Sequence, residues 1–343
     1  MTMQAERAGV TTTDGVRLHV ETTGSADAPV TVVLGHGWTC STRSWHHQLE
    51  GLPAVLGPDA VRVVAYDHRG HGRSGAAPTG TTRIEQLAED LVTVLDELVP
   101  SGPVVYAGHS MGGMTLMALA DQRPDLFGER ITGAVLVSTS SGQITSRAFG
   151  LPARLDGAAA VVAPRAVNLA GARLERRELR RTGRGAEYGV RAARNEAAQD
   201  AAEQAAEQAA IRARLAVWRQ VAGTRVRRPA VKRFVFGKKV DPAEVDILLA
   251  DLDALPGRSF SGFFEAITRH DLEHALEVLG TIPVEVMHGT RDRLLPPRHG
   301  NRLAELIPSA RLWMYPGAGH MLMQERPRDV THRLASLARK ATA

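Results

Sequence analysis

The sequence predicts an α/β protein whose mostly parallel sheet is doubly wound, with a helical segment inserted into the chain. Short apolar runs alternate with helical patterns along most of the 343 residues, which is typical of parallel strands with helices on both faces of the sheet. Between residues 142 and 272 the alternation stops, and residues 186–222 are rich in Ala, Arg, Glu and Gln, which favour helix. We therefore expect an α/β core of residues 1–141 and 273–343, and an inserted α-helical segment of residues 142–272, called here the predicted cap; a disordered, low-complexity insertion is the alternative.

Each element of the core follows from its local pattern. A hairpin over residues 11–23 turns at Asp14-Gly15, after which apolar and polar residues alternate. Apolar, β-branched runs predict six further strands, at 30–35, 61–66, 103–108, 131–137, 283–288 and 311–315. Apolar residues at helical spacing predict core helices at 84–99, 111–122, 298–306 and 327–339. Residues just beyond the carboxyl ends of parallel strands are where a site is expected.

The most informative motif is Gly108-His109-Ser110-Met111-Gly112, which ends a predicted strand and opens a predicted helix. Its G-x-S-x-G spacing matches a nucleophile elbow, in which a serine stands in a sharp, strained turn between strand and helix. Small residues are needed two positions before and after the serine, because a side chain there would collide with the strand or the helix. The same spacing occurs in ordinary strand–helix turns, so the surrounding segments have to support Ser110 as the candidate nucleophile.

A second segment carries a resemblance to a known family. A β-branched run ends in His36-Gly37, followed by Trp38, and here the chain resembles the α/β-hydrolase superfamily, whose third strand ends in His-Gly-x. The resemblance implies the α/β-hydrolase fold. It also implies that the main-chain N–H groups of Trp38 and Met111 form an oxyanion hole, and that His36 is structural.

An acid and a histidine follow two of the later predicted strands, in the chain order of a serine triad. Asp292 and His320 each come just after a predicted strand, and the order Ser110, Asp292, His320 is that of serine triads in this type of sheet. A serine hydroxyl is a weak nucleophile, so the histidine has to take its proton while the acid fixes the imidazole tautomer. In the family the acid sometimes follows the preceding strand, but residues 138–141 hold no carboxylate. Asp67, which precedes the serine, is a weaker rival.

The segment that starts at Asp67 reads Asp-His-Arg-Gly-His-Gly-Arg-Ser and resembles the family's D-x-R-G-x-G-x-S loop. Its charged residues suggest a site, but a structural role is the stronger interpretation. We expect Asp67, Arg69 and Arg73 to cross-link the loop by charge-assisted hydrogen bonds. His68 and His71 are not expected to be catalytic.

The resemblance implies hydrolysis of a carboxylic ester, a lactone or a thioester through an acyl-serine intermediate, with no cofactor and no metal ion. Two other functions stay open: a non-hydrolytic lyase or cyclase on the same scaffold, with His320 as a base, and a ligand-binding signalling protein that turns over slowly. Cys40, Met321 and Phe263 are candidates for the lining of the substrate pocket, and such a lining would suit a hydrophobic small molecule. Met321 would equally suit the core, and packing is the stronger interpretation for Cys40 and Phe263.

Composition narrows the class of protein. Cys40 is the only cysteine, which excludes a disulfide within the chain and any metal site built on cysteine pairs. The first residues lack the apolar stretch of a secretory signal, and no run approaches the ~18 apolar residues of a membrane-spanning helix. We therefore expect a cytoplasmic protein without a membrane span.

The net charge of +5 is unevenly distributed. Residues 171–240 hold 18 Lys and Arg against 7 Asp and Glu, so the rest of the chain is acidic on balance. A basic segment of this kind could attract an acidic carrier protein or a coenzyme A thioester, although a solvated helix face is the simpler interpretation. Nucleic acid is not an expected partner, because the basic residues are interleaved with Ala and acids, and aromatic residues make up only 4% of the chain.

Overall fold

The computed structural model describes residues 6–144 and 224–342, and their strands form one eight-stranded sheet. The strands are β1 (Glu6–Thr11), β2 (Arg17–Thr23), β3 (Thr31–Gly35), β4 (Arg62–Tyr66), β5 (Val104–His109), β6 (Ile131–Val137), β7 (Val284–Gly289) and β8 (Ala310–Tyr315). Their order is β1-β2-β4-β3-β5-β6-β7-β8. The β1–β2 and β2–β4 pairs are antiparallel, and all other neighbours are parallel. The predicted mostly parallel sheet is confirmed.

Helices cover both faces of this sheet. Those of the described residues are α1 (His46–Leu56), α2 (Ile84–Leu98), α3 (Met111–Gln122), α4 (Thr224–Val235), α5 (Pro242–Ala254), α6 (Gly257–Arg269), α7 (Leu276–Leu279), α8 (Arg298–Leu306), α9 (Leu322–Glu325) and α10 (Pro327–Ala341). Helices α1 and α10 pack on one face, and α2, α3 and α8 on the other. On β3, Val33 enters the core of one face while Val32 and Leu34 enter the other, and all three are fully buried. The sheet is therefore doubly wound, as predicted.

The predicted core elements agree with the structure to within about two residues at their ends, except in the hairpin, whose first strand β1 ends at Thr11, where the predicted hairpin begins. The hairpin turns where expected, and Gly15 has a φ of +83°, a left-handed conformation that glycine adopts without strain. The sequence pattern does not predict helix α1, since Gly51 and Pro53 interrupt it and leave few apolar positions. Its buried face, which includes Leu49 and Leu52, becomes recognisable only once the sheet is present.

Part of the predicted cap lies within the described residues and is helical: it comprises α4, α5 and α6. The described residues 6–144 and 224–342 belong to one compact unit. Residues 145–223 lie outside the described part of the chain, and with them lies most of the basic segment 171–240. The boundaries 142 and 272 of the cap stay a prediction. Among the helices that the structure describes, none is both long and apolar enough to cross a membrane.

Candidate active site

Ser110 stands at the turn between the central strand β5 and helix α3. Its backbone has φ 50° and ψ −113°, a conformation that is strained for a residue with a side chain. Its N–H donates to the carbonyl of Val137 at 2.9 Å, which ties the turn to β6. A Cβ on Gly108 would lie 2.5 Å from the Gly112 carbonyl carbon, and one on Gly112 would lie 2.3 Å from the Gly35 oxygen. The two glycines of the motif are therefore needed for this close approach of strand and helix.

The loop after β3 lies directly against this turn. A Cβ added at Gly37 would lie 2.6 Å from Nδ1 of His109 and 3.2 Å from Cβ of Ser110. Trp38 is the next residue in that loop, and its indole N–H donates to the carbonyl of Phe260 on α6 at 3.2 Å. Met111 supplies the first N–H of α3, in the turn whose N–H groups have no carbonyl partner within the helix. The structure thus places both loops that carry the predicted oxyanion-hole residues beside Ser110.

Asp292 and His320 are brought together by the loops after β7 and β8. The Nδ1 atom of His320 lies 2.7 Å from Oδ2 of Asp292, and both residues are about 95% buried, with exposed fractions of 5% and 4%. A ring nitrogen 2.7 Å from a carboxylate oxygen makes a short, charge-assisted hydrogen bond. Because a carboxylate can only accept, Nδ1 of His320 carries the proton in this pair, and its Nε2 is left as the acceptor in the neutral ring.

Backbone groups hold the Asp292 carboxylate in this orientation. Its Oδ1 atom accepts from the N–H groups of Leu294 at 2.9 Å and Leu295 at 2.8 Å, so Oδ2 is the oxygen presented to His320. His288, at the end of β7, lies 3.5 Å from the same Oδ2 and donates its Nε2 proton to the Leu295 carbonyl at 2.8 Å. Burial lowers the pKa of His288, which keeps this ring neutral beside the pair.

His320 is positioned by three further segments. Its backbone N–H donates to the carbonyl of Val235, at the end of α4, at 2.8 Å. The ring of His109, the residue before the serine, packs at 4.8 Å from the His320 ring, and its Nε2 lies 3.1 Å from the His320 carbonyl. The Glu325 carboxylate accepts from the N–H of Gly319 at 3.0 Å. The sequence patterns do not indicate a role for Val235 or Glu325. His288 is recognisable as a candidate only because it stands at the carboxyl end of a predicted strand.

Asp67, the rival acid, is engaged elsewhere. It is 1% exposed, and its oxygens accept from the N–H groups of Thr42 at 2.7 Å and Arg73 at 2.8 Å. The expected cross-linking of the loop is correct for this contact and wrong for the guanidinium groups. Arg69 pairs with Asp14 and Asp90, outside the loop, because its side chain reaches away from Asp67 towards α2 and the β1–β2 turn.

The side chain of Arg73 also leaves the loop. It lies 3.1 Å from Glu21 on β2 and half of it is exposed to solvent. The charge-assisted bonds of both arginines therefore anchor the loop to its neighbours. The only cross-link inside the loop that involves Asp67 and an arginine uses the arginine's main chain.

Three buried histidines of the loops after β3 and β4 form a cluster. His36 accepts from the N–H of His68 at 2.9 Å, and its ring lies 4.5 Å from that of His68 and 5.3 Å from that of His71. Burial lowers the pKa of His36 to about 4 and that of His71 to about 3, and it holds the pKa of His68 well below its usual range. These neutral, buried rings fit the structural role expected of His36.

The candidate pocket residues lie in the apolar interior. Cys40 and Met321 are 3% and 1% exposed and belong to the core cluster on the α1–α10 face. Phe263, on α6, is fully buried in the cluster of the other face, with its ring 5.1 Å from that of His71. Burial raises the pKa of the Cys40 thiol far above its usual range, so this thiol is not a nucleophile at neutral pH. Contact of these residues with a substrate stays a prediction.

Comparison with known proteins identifies the family to which this fold belongs. A family model described as the alpha/beta hydrolase fold matches residues 30–327, which is most of the chain. The chain belongs to the α/β-hydrolase fold family. Its members among the curated relatives include a bifunctional esterase/perhydrolase of Acinetobacter calcoaceticus, 35% identical over 129 residues, and a 3-oxoadipate enol-lactonase of Acinetobacter baylyi, 32% identical over 134 residues. These alignments cover 38% and 39% of this chain, and the chain spans less than half the length of the relatives, 43% and 45%.

Solved structures resemble the whole chain more evenly. A thermophilic esterase from Thermogutta terrifontis superposes with a TM-score of 0.63 at 23% identity, covering 99% of this chain and 100% of that one. An enol-lactonase from Burkholderia xenovorans gives a TM-score of 0.61 at 24% identity, covering 97% of this chain and 99% of that one. At this level of identity the likeness establishes the fold alone.

Proposed function

We propose that this α/β-hydrolase is a serine hydrolase that cleaves a carboxylic ester, a lactone or a thioester of a hydrophobic small molecule through an acyl-serine intermediate. The observation that carries the proposal is the 2.7 Å contact between His320 and Asp292, with the His320 ring 4.8 Å from the ring of His109, which directly precedes the strained turn of Ser110. The relatives named as esterase and enol-lactonase support the same class of reaction.

In the proposed mechanism, His320 is the general base. Since Asp292 accepts the Nδ1 proton, the Nε2 lone pair is available to take the hydroxyl proton of Ser110 as its Oγ attacks the carbonyl carbon. The imidazolium that forms is stabilised by the adjacent carboxylate and then protonates the leaving alcohol or thiol. Water, activated by the same nitrogen, attacks the acyl-serine and releases the acid.

Charge on the carbonyl oxygen develops during both attacks. The proposed donors are the main-chain N–H groups of Met111 and Trp38, on the two loops that meet at Ser110. The packing of Gly37 against Cβ of Ser110 supports this assignment, because it fixes the β3 loop relative to the nucleophile. The N-terminus of α3 adds a favourable partial positive charge.

We further propose that the acyl source is an acidic carrier protein or a coenzyme A thioester. The excess of 11 positive charges over residues 171–240 supports this assignment. Electrostatic capture of such a substrate weakens with ionic strength. The test compares kcat/KM for an acyl-coenzyme A and for a neutral p-nitrophenyl ester from low to high salt. Equal salt dependence for the two would leave the charge without a role in substrate capture.

A fluorophosphonate probe followed by peptide mass spectrometry tests the nucleophile. We expect one probe per chain, attached at Ser110, and steady turnover of p-nitrophenyl butyrate. Ser110→Ala should lose labelling and lower kcat by roughly 10⁴- to 10⁶-fold, while Ser138→Ala, a neighbouring buried serine, should keep both. Labelling at another residue, or near-normal turnover by folded Ser110→Ala, would refute the covalent mechanism.

The same experiment separates the two alternative functions. Stoichiometric labelling with a single burst and almost no later turnover would favour a ligand-binding protein that hydrolyses slowly. Conversion of a substrate without any trapped acyl-enzyme, and without loss of activity in Ser110→Ala, would favour a lyase or cyclase that uses His320 alone.

A further inference from the structure

A second cluster of chemically active side chains lies on the α1–α10 face. His46 and His47 open helix α1, and Glu244 comes from the first turn of α5, within the predicted cap. The Nε2 atoms of His47 and His46 lie 2.9 Å and 3.4 Å from the same Oε1 of Glu244, and all three atoms lie within 4.8 Å of one another. The two rings pack at 3.8 Å between centroids.

The tautomer of His46 makes this arrangement informative. Its Nδ1 lies 2.9 Å from the Arg43 carbonyl, which can only accept, so Nδ1 carries a proton. In the neutral ring Nε2 is then a lone pair, and it faces a carboxylate oxygen that is also an acceptor. Two facing acceptors repel unless a cation lies between them. That cation is either an extra proton on the ring or a metal ion.

We propose that His46, His47 and Glu244 bind one zinc ion through both Nε2 atoms and Oε1. Zinc takes imidazole nitrogen and carboxylate oxygen at about 2.0–2.2 Å, which puts tetrahedral ligand atoms about 3.4 Å apart. The His46–Glu244 separation already has this value, and the His47–Glu244 separation has to open by about half an ångström.

The surroundings hold the ligands as zinc sites usually do. The Arg43 carbonyl fixes the ring of His46, and Gln324 on α9 donates to the second oxygen of Glu244 at 2.6 Å. The Arg43 guanidinium is turned towards Asp251, 3.3 Å away, so its charge is partly compensated. Glu244 is buried, while His46 and His47 are 34% and 35% exposed, which leaves the fourth position open to water.

Such a site would join the core to the predicted cap. Helix α1 packs on the sheet, α5 belongs to the described part of the cap, and Gln324 lies four residues after His320. Bound zinc would therefore stabilise the contact between α1 and α5 independently of any ester hydrolysis.

Calorimetric titration of the tag-free, chelator-treated full chain with zinc chloride tests the site. We expect one equivalent to bind and to raise Tm, because a ligand that binds only the folded chain stabilises it. His47→Gln should abolish this binding, and Gln324→Leu should weaken it by about 10- to 100-fold. His274→Gln, an exposed histidine 2.8 Å from Asp121, is the matched control and should bind like the parent.

Cobalt gives an independent readout. Cobalt(II) in the same site should produce visible absorption bands of a tetrahedral centre, and one equivalent of zinc should remove them. Binding that persists unchanged in His47→Gln and Glu244→Gln would place the metal elsewhere and overturn the proposal. A zinc titration of the parent chain that shows only the heat of dilution, and so no binding, would also overturn the proposal. The cation between the two acceptors would then be the extra proton on His46.

Discussion

Asp292 illustrates how one side chain can be fixed at both ends. Its Oδ1 is occupied by the N–H groups of Leu294 and Leu295, and its Oδ2 receives the Nδ1 proton of His320. The carboxylate therefore cannot rotate without losing backbone hydrogen bonds. This orientation dictates which nitrogen of His320 is protonated, and with it which nitrogen can accept the proton of Ser110 in the proposed mechanism.

Asp292→Asn should preserve the fold and remove the activity. The two backbone N–H groups would hold the amide oxygen, so the NH₂ group would face Nδ1 of His320 and force the proton onto Nε2. We expect kcat for p-nitrophenyl butyrate to fall by about 10⁴-fold, with an unchanged far-ultraviolet circular dichroism spectrum. Asp121→Asn, at a surface acid, should leave kcat as it is. Activity within tenfold of the parent in Asp292→Asn would mean that another group orients His320.

At this scale the sequence is informative because chain order and strand ends are readable in it. Ser110, Asp292 and His320 each follow an apolar run, and a parallel sheet brings such positions to one edge. The residues that hold these side chains in place cannot be predicted from the sequence. The carbonyl of Val235, which accepts from the N–H of His320, lies on α4 in the predicted cap, where the strand–helix alternation of the core is absent. The partners of Arg69 were misassigned because charge proximity in sequence does not give the direction of a long side chain.

At the scale of elements, the loops after β3 and β5 act as a pair. Gly37 meets His109 and Ser110 so closely that a methyl group would force the β3 loop away from the elbow. Gly37→Ala should therefore displace the Trp38 N–H and lower kcat by about 10²-fold, the cost of losing one oxyanion donor, with a smaller change in KM. The control is Gly257→Ala, where a Cβ would have no neighbour within 4 Å. Equal kcat values for the two variants would remove the β3 loop from the proposed oxyanion hole.

Arg69 connects elements of the core through two ion pairs. Its fully buried guanidinium lies 2.5 Å from Asp90 on α2 and 2.7 Å from Asp14 in the β1–β2 turn. Asp90 is 1% exposed, and burial raises its pKa although Arg69 lowers it. The arginine therefore offsets a buried charge and connects three segments that are far apart in the chain.

Arg69→Met should lower the free energy of unfolding by about 3–5 kcal/mol, because Asp90 would be left as an uncompensated buried charge. Arg69→Met combined with Asp90→Leu should recover a large part of that loss. Arg123→Met, at a solvent-exposed pair, should change little. Urea unfolding of the four proteins measures these differences. A double variant no more stable than Arg69→Met would show that the arginine acts by packing rather than by pairing.

At the scale of the whole molecule, folding buries several histidines in the loops next to the candidate active site and lowers their pKa values. Burial holds the pKa of His36 at about 4 and that of His71 at about 3, while unfolded histidine titrates near 6.5. Below pH 6.5, His36 and His71 therefore bind protons in the unfolded chain but remain neutral in the folded chain until the pH is much lower. Stability rises with pH wherever the unfolded state binds more protons. The contribution of these rings is complete above pH 6.5 and is lost as the pH falls towards 4 and 3.

The free energy of unfolding should consequently decrease from pH 6.5 to pH 4, with each such ring adding a slope of up to about 1.4 kcal/mol per pH unit. His71→Asn keeps a donor for the Arg69 carbonyl, which His71 contacts through Nδ1 at 3.1 Å, and removes one titrating group. The slope of its unfolding free energy against pH should be smaller than that of the parent by up to about 1.4 kcal/mol per pH unit, which corresponds to one proton. His332→Asn, at an exposed position, is the matched control. Parallel stability curves for the parent and His71→Asn would mean that His71 takes up its proton as readily in the folded chain as in the unfolded one.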